Sequence, residues 1–524
     1  MIFCEEKDNT TVTLFLNSKI KIYHKINVLR KLKLSPFIKD ILLTKLTSIT
    51  TIISLILVTR FLATGLGPEE FGFYSLTRRL VSTIFTFSTF MMGVSVTRYI
   101  ALAQNNDTKN VYYLGGLIFG TVPSIIIATV GFAFQKQIAD MIYHNNTHSS
   151  LFIAALFMLV GYSFYNILYA FYRGLGNMTK ANVFQFVIMA FAPFVVAWLY
   201  SSAGKADQIV MMLGGIFYIT LIPLCFYIVK AIIVVNKTRP NLKEPFRELF
   251  YYGFLRVPGA FAVAGLLSSG PFLAQYLTST KDVGYLNIGI SILAVVEGGT
   301  AAFGLVILPK VTQLFAEGKN EFIKERVTDV IAFIFHIGLF CMVHFSLWSE
   351  QIVLVWLGNQ YTESIPIMKI FIAAIIPYLT FTMLRHILNA IEKKPLNTIN
   401  SLYALAISVV SSFVLAWVGL KALGLAIGST IGIFVLGLLT VKYLWRLYQI
   451  NIRDLKIKEI LAVNIVLFLL TIVFKYYLTK LTYSITIVST IICFEILMIS
   501  TYFIVLNRMK IRWITELKIR LIRV

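Results

Sequence analysis

Of the 524 residues, 58% are hydrophobic and only 14% charged, yet the formal net charge is +23. Mean hydropathy is +0.80 and a soluble domain carries about 25% charged residues, so a soluble enzyme or nucleic-acid-binding domain is excluded. What remains is a chain made to sit in lipid.

A transmembrane helix needs roughly 20 mostly apolar residues. The sequence opens with a basic segment, 1–42, and then predicts fourteen spans. They are 43–64, 79–101, 111–134, 150–172, 181–203, 208–235, 251–276, 284–308, 327–347, 363–390, 398–419, 422–444, 459–477 and 482–506. The least regular are 251–276, with Arg256 and Pro258, and 363–390, with Lys369 and Pro377, which leaves a range of 12–14 spans. No cleavable leader is evident, so the first span is expected to serve as the insertion signal. Cys4, Cys225, Cys341 and Cys493 share no close spacing, which argues against disulfides or a metal site.

Lys and Arg fall overwhelmingly on one set of alternating loops and on both tails. Basic loops stay in the cytoplasm, so both termini are expected there. Leu14–Leu34 is rich in Lys and Arg, and Ile511, Ile514, Leu517 and Leu521 form a stripe opposite Arg512, Lys518, Arg520 and Arg523. Both segments can lie on an anionic leaflet as amphipathic helices, or simply supply topogenic charge. Neither carries the stacking aromatics that nucleic-acid binding needs.

An internal repeat is visible. Gly67-Pro68-Glu69-Glu70-Phe71-Gly72-Phe73-Tyr74 is echoed 212 residues on by Ser279-Thr280-Lys281-Asp282-Val283-Gly284-Tyr285-Leu286. Thr97-Arg98-Tyr99 recurs at the same offset as Pro309-Lys310-Val311, and Phe171-Tyr172-Arg173-Gly174 is echoed by Ile387-Leu388-Asn389-Ala390. The expected architecture is an all-α polytopic membrane protein with two six-helix lobes, 43–235 and 251–444, in parallel repeat. A cytoplasmic linker, 236–250, joins the lobes, and two accessory helices, 445–506, precede a basic tail, 507–524.

Arg60-Phe61-Leu62 followed by Gly65 to Leu76 (Gly-Leu-Gly-Pro-Glu-Glu-Phe-Gly-Phe-Tyr-Ser-Leu) resembles the signature of polysaccharide-export flippases. These belong to the multidrug/oligosaccharidyl-lipid/polysaccharide exporter superfamily, and the resemblance extends over about residues 43–506. It implies translocation of a polyprenyl-pyrophosphate-linked oligosaccharide from the inner to the outer leaflet of the cell membrane. The partners implied are the lipid-linked glycan, membrane lipids, and a glycan polymerase or glycosyltransferases, without a cofactor.

Charge within a bilayer is costly and marks function. Glu297, between small residues, is a candidate for ion coupling or for pairing with a basic side chain. Glu495, in the last span, is expected to be structural or a lipid anchor. Arg98, Arg256, Lys310 and Arg385 are candidate ligands for a pyrophosphate, which Arg grips bidentately and Lys as a point charge. Snorkelling to the interface is the alternative for Arg98, Lys310 and Arg385. Arg256 precedes Pro258, where a kink would face a cavity. Arg60 is either a ligand or a helix-end partner of Glu69 or Glu70. His336, His344 and His386 lack the ligand set zinc needs, and no nucleophile elbow or phosphate-binding loop is present, so no catalytic residue is assigned. The rival readings are a cation-coupled multidrug exporter and a non-transporting scaffold for glycan synthesis.

Overall fold

The computed structural model describes residues 36–144, 148–202, 204–238, 241–391, 394–478 and 485–514. The basic segment Leu14–Leu34, Cys4 and the tail beyond Ile514 lie outside them, as does the side chain of Lys310. Every regular element among the described residues is helical. Lipid offers the backbone no hydrogen-bond partner, and a helix satisfies its own.

In chain order the helices are α1 Pro36–Ser88, α2 Met92–Leu102, α3 Asn106–Ala133, α4 Gln135–Tyr143, α5 Ser149–Gly174, α6 Met178–Phe186, α7 Ala192–Tyr200, α8 Ala206–Phe217 and α9 Leu221–Thr238. The linker helix α10, Lys243–Phe254, leads into α11 Val257–Leu277, α12 Thr280–Ala316, α13 Asn320–Leu347 and α14 Ser349–Trp356. Then follow α15 Ser364–Ala373, α16 Ile375–Ile391, α17 Leu396–Leu415, α18 Lys421–Tyr448, α19 Ile457–Leu478 and α20 Ile485–Arg508. Ten helical runs are long and apolar enough to cross a membrane, or eleven if the bent pair α15–α16 counts as one. The chain is a multi-pass membrane protein.

Two of the ten runs, Leu43–Ser88 and Leu396–Tyr448, have 46 and 53 residues, far more than one crossing of a hydrocarbon core about 30 Å thick requires. Each is interrupted by a glycine in a backbone conformation that L side chains avoid: Gly67 at φ 79°, ψ 170° and Gly419 at φ 98°, ψ 0°. Pro68 follows directly, and a proline suits the first turn of a helix because its missing N–H would have no partner there. The helix therefore resumes at Pro68 and not at 79, the predicted start of the second span. Arg78 and Arg79, expected at its outer edge, lie about three turns inside it.

Two other predicted spans differ in detail. Pro258 sits in the first turn of α11, which starts at Val257 just after Arg256, so there is no interior kink at this proline. The predicted span 363–390 is divided into α15 and α16, bent by 46°. Pro377 has no N–H to give to the Ala373 carbonyl, which ends α15 where that bond is missing.

Packing is dense within the first half, where α5 contacts α8, α3 and α2, and within the second, where α17 and α18 form a hairpin and α12 packs on α15 and α16. The halves meet where α1 crosses α12 and α11. The sequence offset recurs in space: the helix restarting at Pro68 corresponds to α12, which begins at Thr280. Small residues bring helices close, as at Gly428, where a Cβ would lie 2.2 Å from the Ser412 nitrogen.

The accessory helices dock on α13. Glu495 of α20 lies 2.9 Å from His344 Nδ1 and accepts a 2.6 Å bond from Trp348 Nε1. Tyr502 donates to the His336 carbonyl at 2.9 Å. A neutral His336 ring with its proton on Nε2 satisfies both remaining contacts, donating to the Leu455 carbonyl at 2.9 Å and accepting from Trp513 Nε1 at 3.1 Å. Arg512, expected on the polar face of a surface helix, stays exposed and pairs with Asp329 and Glu325 of α13 at 2.7 and 2.8 Å.

Candidate functional site

The two halves are sealed at the end carrying the Gly67 and Ser279 turns, here called the hairpin end. Gly72 and Thr280 approach closely: a Cβ on Gly72 would stand 2.0 Å from the Thr280 carbonyl oxygen. The fully buried Tyr361 donates to the Ala63 carbonyl at 2.7 Å. Trp356 Nε1 donates to the Ile56 carbonyl at 2.9 Å. Arg60 belongs to this seal. Its Nη1 donates to the carbonyls of Val355 and Trp356, and Glu70 instead accepts from the Ala206 amide.

The opposite, linker end gathers two of the predicted residues. Phe90 and Met91 hold positive φ at 45° and 56°, so α2 leaves α1 at a break and presents Arg98 to the linker helix. Phe90 fixes that orientation by packing against Phe250 and Phe254 of α10. Arg98 places its guanidinium 4.7 Å from the centroid of Tyr252 and donates to its hydroxyl at 3.2 Å. Arg256 sits 3.6 Å from the same centroid and donates to the Tyr252 carbonyl at 2.7 Å. Both arginines are exposed, and among the described residues neither forms an ion pair. The aromatic face holds two like charges at one spot without neutralising them. Lys310 lies on α12 thirty residues past Thr280, as Arg98 lies thirty past Pro68 in sequence.

Deeper between the halves, Glu297 of α12 accepts a 2.8 Å bond from the Tyr378 hydroxyl and lies 3.6 Å from Arg385, both on α16. The carboxylate is therefore engaged within the second half. Arg385 also lies 5.3 Å from the Phe381 centroid. Toward the hairpin end, Arg79 Nε donates to Asn287 Oδ1 of α12 at 2.8 Å.

Arg78 points the other way, into a cavity of about 420 Å³ in the first half. Tyr162, Tyr165 and Tyr169 recur at helical spacing on α5, with ring centroids 6.1 and 5.7 Å apart and both pairs tilted by only 16°. They line this cavity with Ser54, Asn166 and Gln185, and Tyr169 donates to Gln185 Oε1 at 2.9 Å. Aromatic faces with a few convergent polar groups are the usual composition of a small-molecule site. Neither the arginine pair nor the tyrosine row stands among the residues singled out from sequence. Their signals are present all the same: Pro68 fixes the helix start, and the tyrosines follow the 3.6-residue period.

With this geometry in view, the architecture is that of transporters of the multidrug/oligosaccharidyl-lipid/polysaccharide exporter superfamily. An inward-facing multidrug-resistance transporter of that superfamily superposes with a TM-score of 0.64 at 14% identity, covering 77% of this chain and 98% of its own. The lipid II flippase MurJ, in an inward closed conformation, gives 0.65 at 13% identity over 91% and 100%. A superfamily transporter from Pyrococcus furiosus, described as having a binding pocket of reversed polarity, gives 0.55 at 14% over 80% and 96%. Residues 38–315 match the family described as polysaccharide biosynthesis protein, and the chain belongs to that family. No curated protein matches it in sequence.

Proposed function

We propose that the protein flips a polyprenyl-pyrophosphate-linked oligosaccharide from the inner to the outer leaflet of the cell membrane by alternating access, for polysaccharide or envelope biosynthesis. The observation that carries this reading is the distribution of arginine between the halves. Arg98 and Arg256 sit exposed at the linker end, Arg385 contacts Glu297 and Arg79 contacts Asn287 on α12, and the halves are in close contact at the hairpin end. Guanidinium groups placed in this way suit an anionic head group, which Arg binds through paired hydrogen bonds. Family membership and the likeness to a lipid II flippase agree with this cargo.

The linker end faces the cytoplasm in this reading, as the concentration of Lys and Arg there requires. Both termini then lie on the same side. Arg98 and Arg256, with Lys310, receive the pyrophosphate while the polyprenyl tail stays in lipid. The two halves rock as lobes about the α1–α12 crossing. The membrane potential, about 2.3 kcal/mol per charge per 100 mV, favours outward movement of an anion where the inside is negative. Glu297 acts as the charge partner of Arg385, released when a phosphate takes the guanidinium.

Leaflet exposure of a polyprenyl-pyrophosphate oligosaccharide in proteoliposomes tests the proposal. Wild type is expected to translocate it, and a folded Arg98→Gln/Arg256→Gln variant to lose most of that activity. Equal translocation by both would remove the arginine entrance; none by either, with an imposed ion gradient, would remove the flippase.

A further inference from the structure

We infer that the glycan carried by this protein is acidic, and that a carboxylate or phosphate substituent on a sugar remote from the pyrophosphate binds Arg78 in the tyrosine-lined cavity of the first half. The inference rests on the flippase reading and extends it to the chemistry of the cargo.

Depth is the first part of the argument. The polyprenyl tail keeps the pyrophosphate near the membrane interface, where Arg98 and Arg256 share Tyr252. Arg78 lies ten residues before α1 ends at Ser88, about 15 Å at 1.5 Å per residue, with the break at Phe90–Met91 and the first turns of α2 still between it and Arg98. One pyrophosphate cannot serve both places at once. While it occupies the linker end, only the glycan reaches Arg78.

Charge is the second. Arg78 is exposed, and it is exposed to the cavity. Its polar contact is with the Tyr74 hydroxyl at 3.2 Å, and its guanidinium lies 5.7 Å from that ring. Among the described residues it has no carboxylate partner. Its neighbour Arg79 is already bound to Asn287. The acids of residues 43–235 are Glu69, Glu70, Asp107, Asp140 and Asp207, and each stands at or beside a helix end or break and not at the depth of Arg78. A guanidinium held within the membrane without an anion marks a ligand site, and here the anion has to arrive with the cargo.

The cavity wall is the third. The tyrosine row gives the cavity wall aromatic carbon for the C–H faces of sugar rings, and its hydroxyls, with Asn166, Gln185 and Ser54, place polar groups beside it for sugar hydroxyls. Tyr169 already donates to Gln185 and Ser54 to the Ala190 carbonyl, and a purely lipidic ligand would use none of the hydrogen-bonding capacity that remains. A pyrophosphate alone would leave the rings without a partner.

The test uses the full chain in lipid nanodiscs and three synthetic polyprenyl-pyrophosphate pentasaccharides that differ only at the distal sugar: glucose, glucuronate or glucose 6-phosphate. Binding of at least one acidic form is expected to be about tenfold tighter than that of the neutral one. Arg78→Gln should reduce that preference to within about twofold, and Arg78→Lys, which keeps the charge without the fork, should retain part of it. Which acidic form is preferred separates a carboxylate from a phosphate. Equal affinities in wild type, or a preference that survives Arg78→Gln in folded protein, overturn the inference while leaving the flippase in place. Failure of all three to bind removes the flippase reading and this inference with it.

Discussion

Arg79 and Asn287, 208 positions apart in sequence, are joined by a 2.8 Å hydrogen bond that runs from one half of the molecule to the other. Such a bond can exist only while α1 and α12 lie together, so it belongs to the state closed at the hairpin end. A hydrogen bond to a charged donor contributes about 1.5–3 kcal/mol. Its removal shifts a two-state equilibrium roughly 10- to 100-fold. Asn287→Ala is therefore expected to raise the labelling rate of a cysteine placed at Gln275, a buried position contacting the Tyr143 carbonyl across the halves. An impermeant thiol reagent added from outside measures it. Unchanged labelling would mean that the bond does not hold the closed state.

Gly72 gives a sharper test of the same closure. A methyl group there would stand 2.0 Å from the Thr280 carbonyl oxygen, and backbone cannot yield as a flexible side chain can. The contact lies between the halves, so folding within each half does not depend on it. Gly72→Ala should accumulate at normal levels, lose translocation, and label readily at Gln275→Cys. Wild-type transport by this variant would show that the halves do not need to approach so closely.

At the linker end, Arg98 and Arg256 share one aromatic ring, so their contributions to binding should not add. Each single change to Gln is expected to weaken binding of a lipid-linked oligosaccharide about tenfold, from the ~1.5–3 kcal/mol of a charged hydrogen bond. Tyr252→Leu, which leaves both charges but removes their common support, should approach the double variant. Tyr252→Phe should stay close to wild type because the ring remains. Titration in nanodiscs at fixed ionic strength checks all four; a Tyr252→Leu variant with wild-type affinity would show that the ring has no positioning role.

Much of this architecture is legible in the sequence because lipid imposes simple rules. Apolar length gives the membrane-spanning helices, and the 212-residue echo of Gly67–Tyr74 points to the pair of helices that meet at the α1–α12 crossing. Arg98 and Arg256 stand out separately as charges at span ends, but nothing in their spacing announces that Tyr252 joins them. Arg78 and Arg79 are hidden for a physical reason. Hydropathy places a span boundary wherever two adjacent charges fall, whereas the backbone continues as helix through any residue whose side chain finds a polar cavity. The tyrosine row is masked in the opposite sense, since aromatic residues at helical spacing usually form ordinary core. Arg60 illustrates the limit of local reading: Glu69 and Glu70 are its neighbours in sequence, but its partners are carbonyls nearly three hundred residues away.

The accessory helices offer the last prediction. Glu495 is 20% exposed and His344 only 4% in their side chains, and Trp348 Nε1 converges on the same carboxylate. Removing the carboxylate leaves a buried indole N–H and an imidazole nitrogen without their acceptor, which costs about 1–3 kcal/mol for each group left unsatisfied. Glu495→Leu should therefore loosen α20 from α13 and lower the melting temperature in detergent. Glu495→Gln keeps an acceptor oxygen for Trp348 and should recover part of the loss. Because these contacts lie outside the α1–α12 crossing, the binding preference for acidic over neutral glycans should persist in both variants. Loss of that preference together with stability would tie the accessory pair to the cavity; loss of neither would show that α20 is held by its apolar contacts, with the Glu495 cluster contributing nothing measurable.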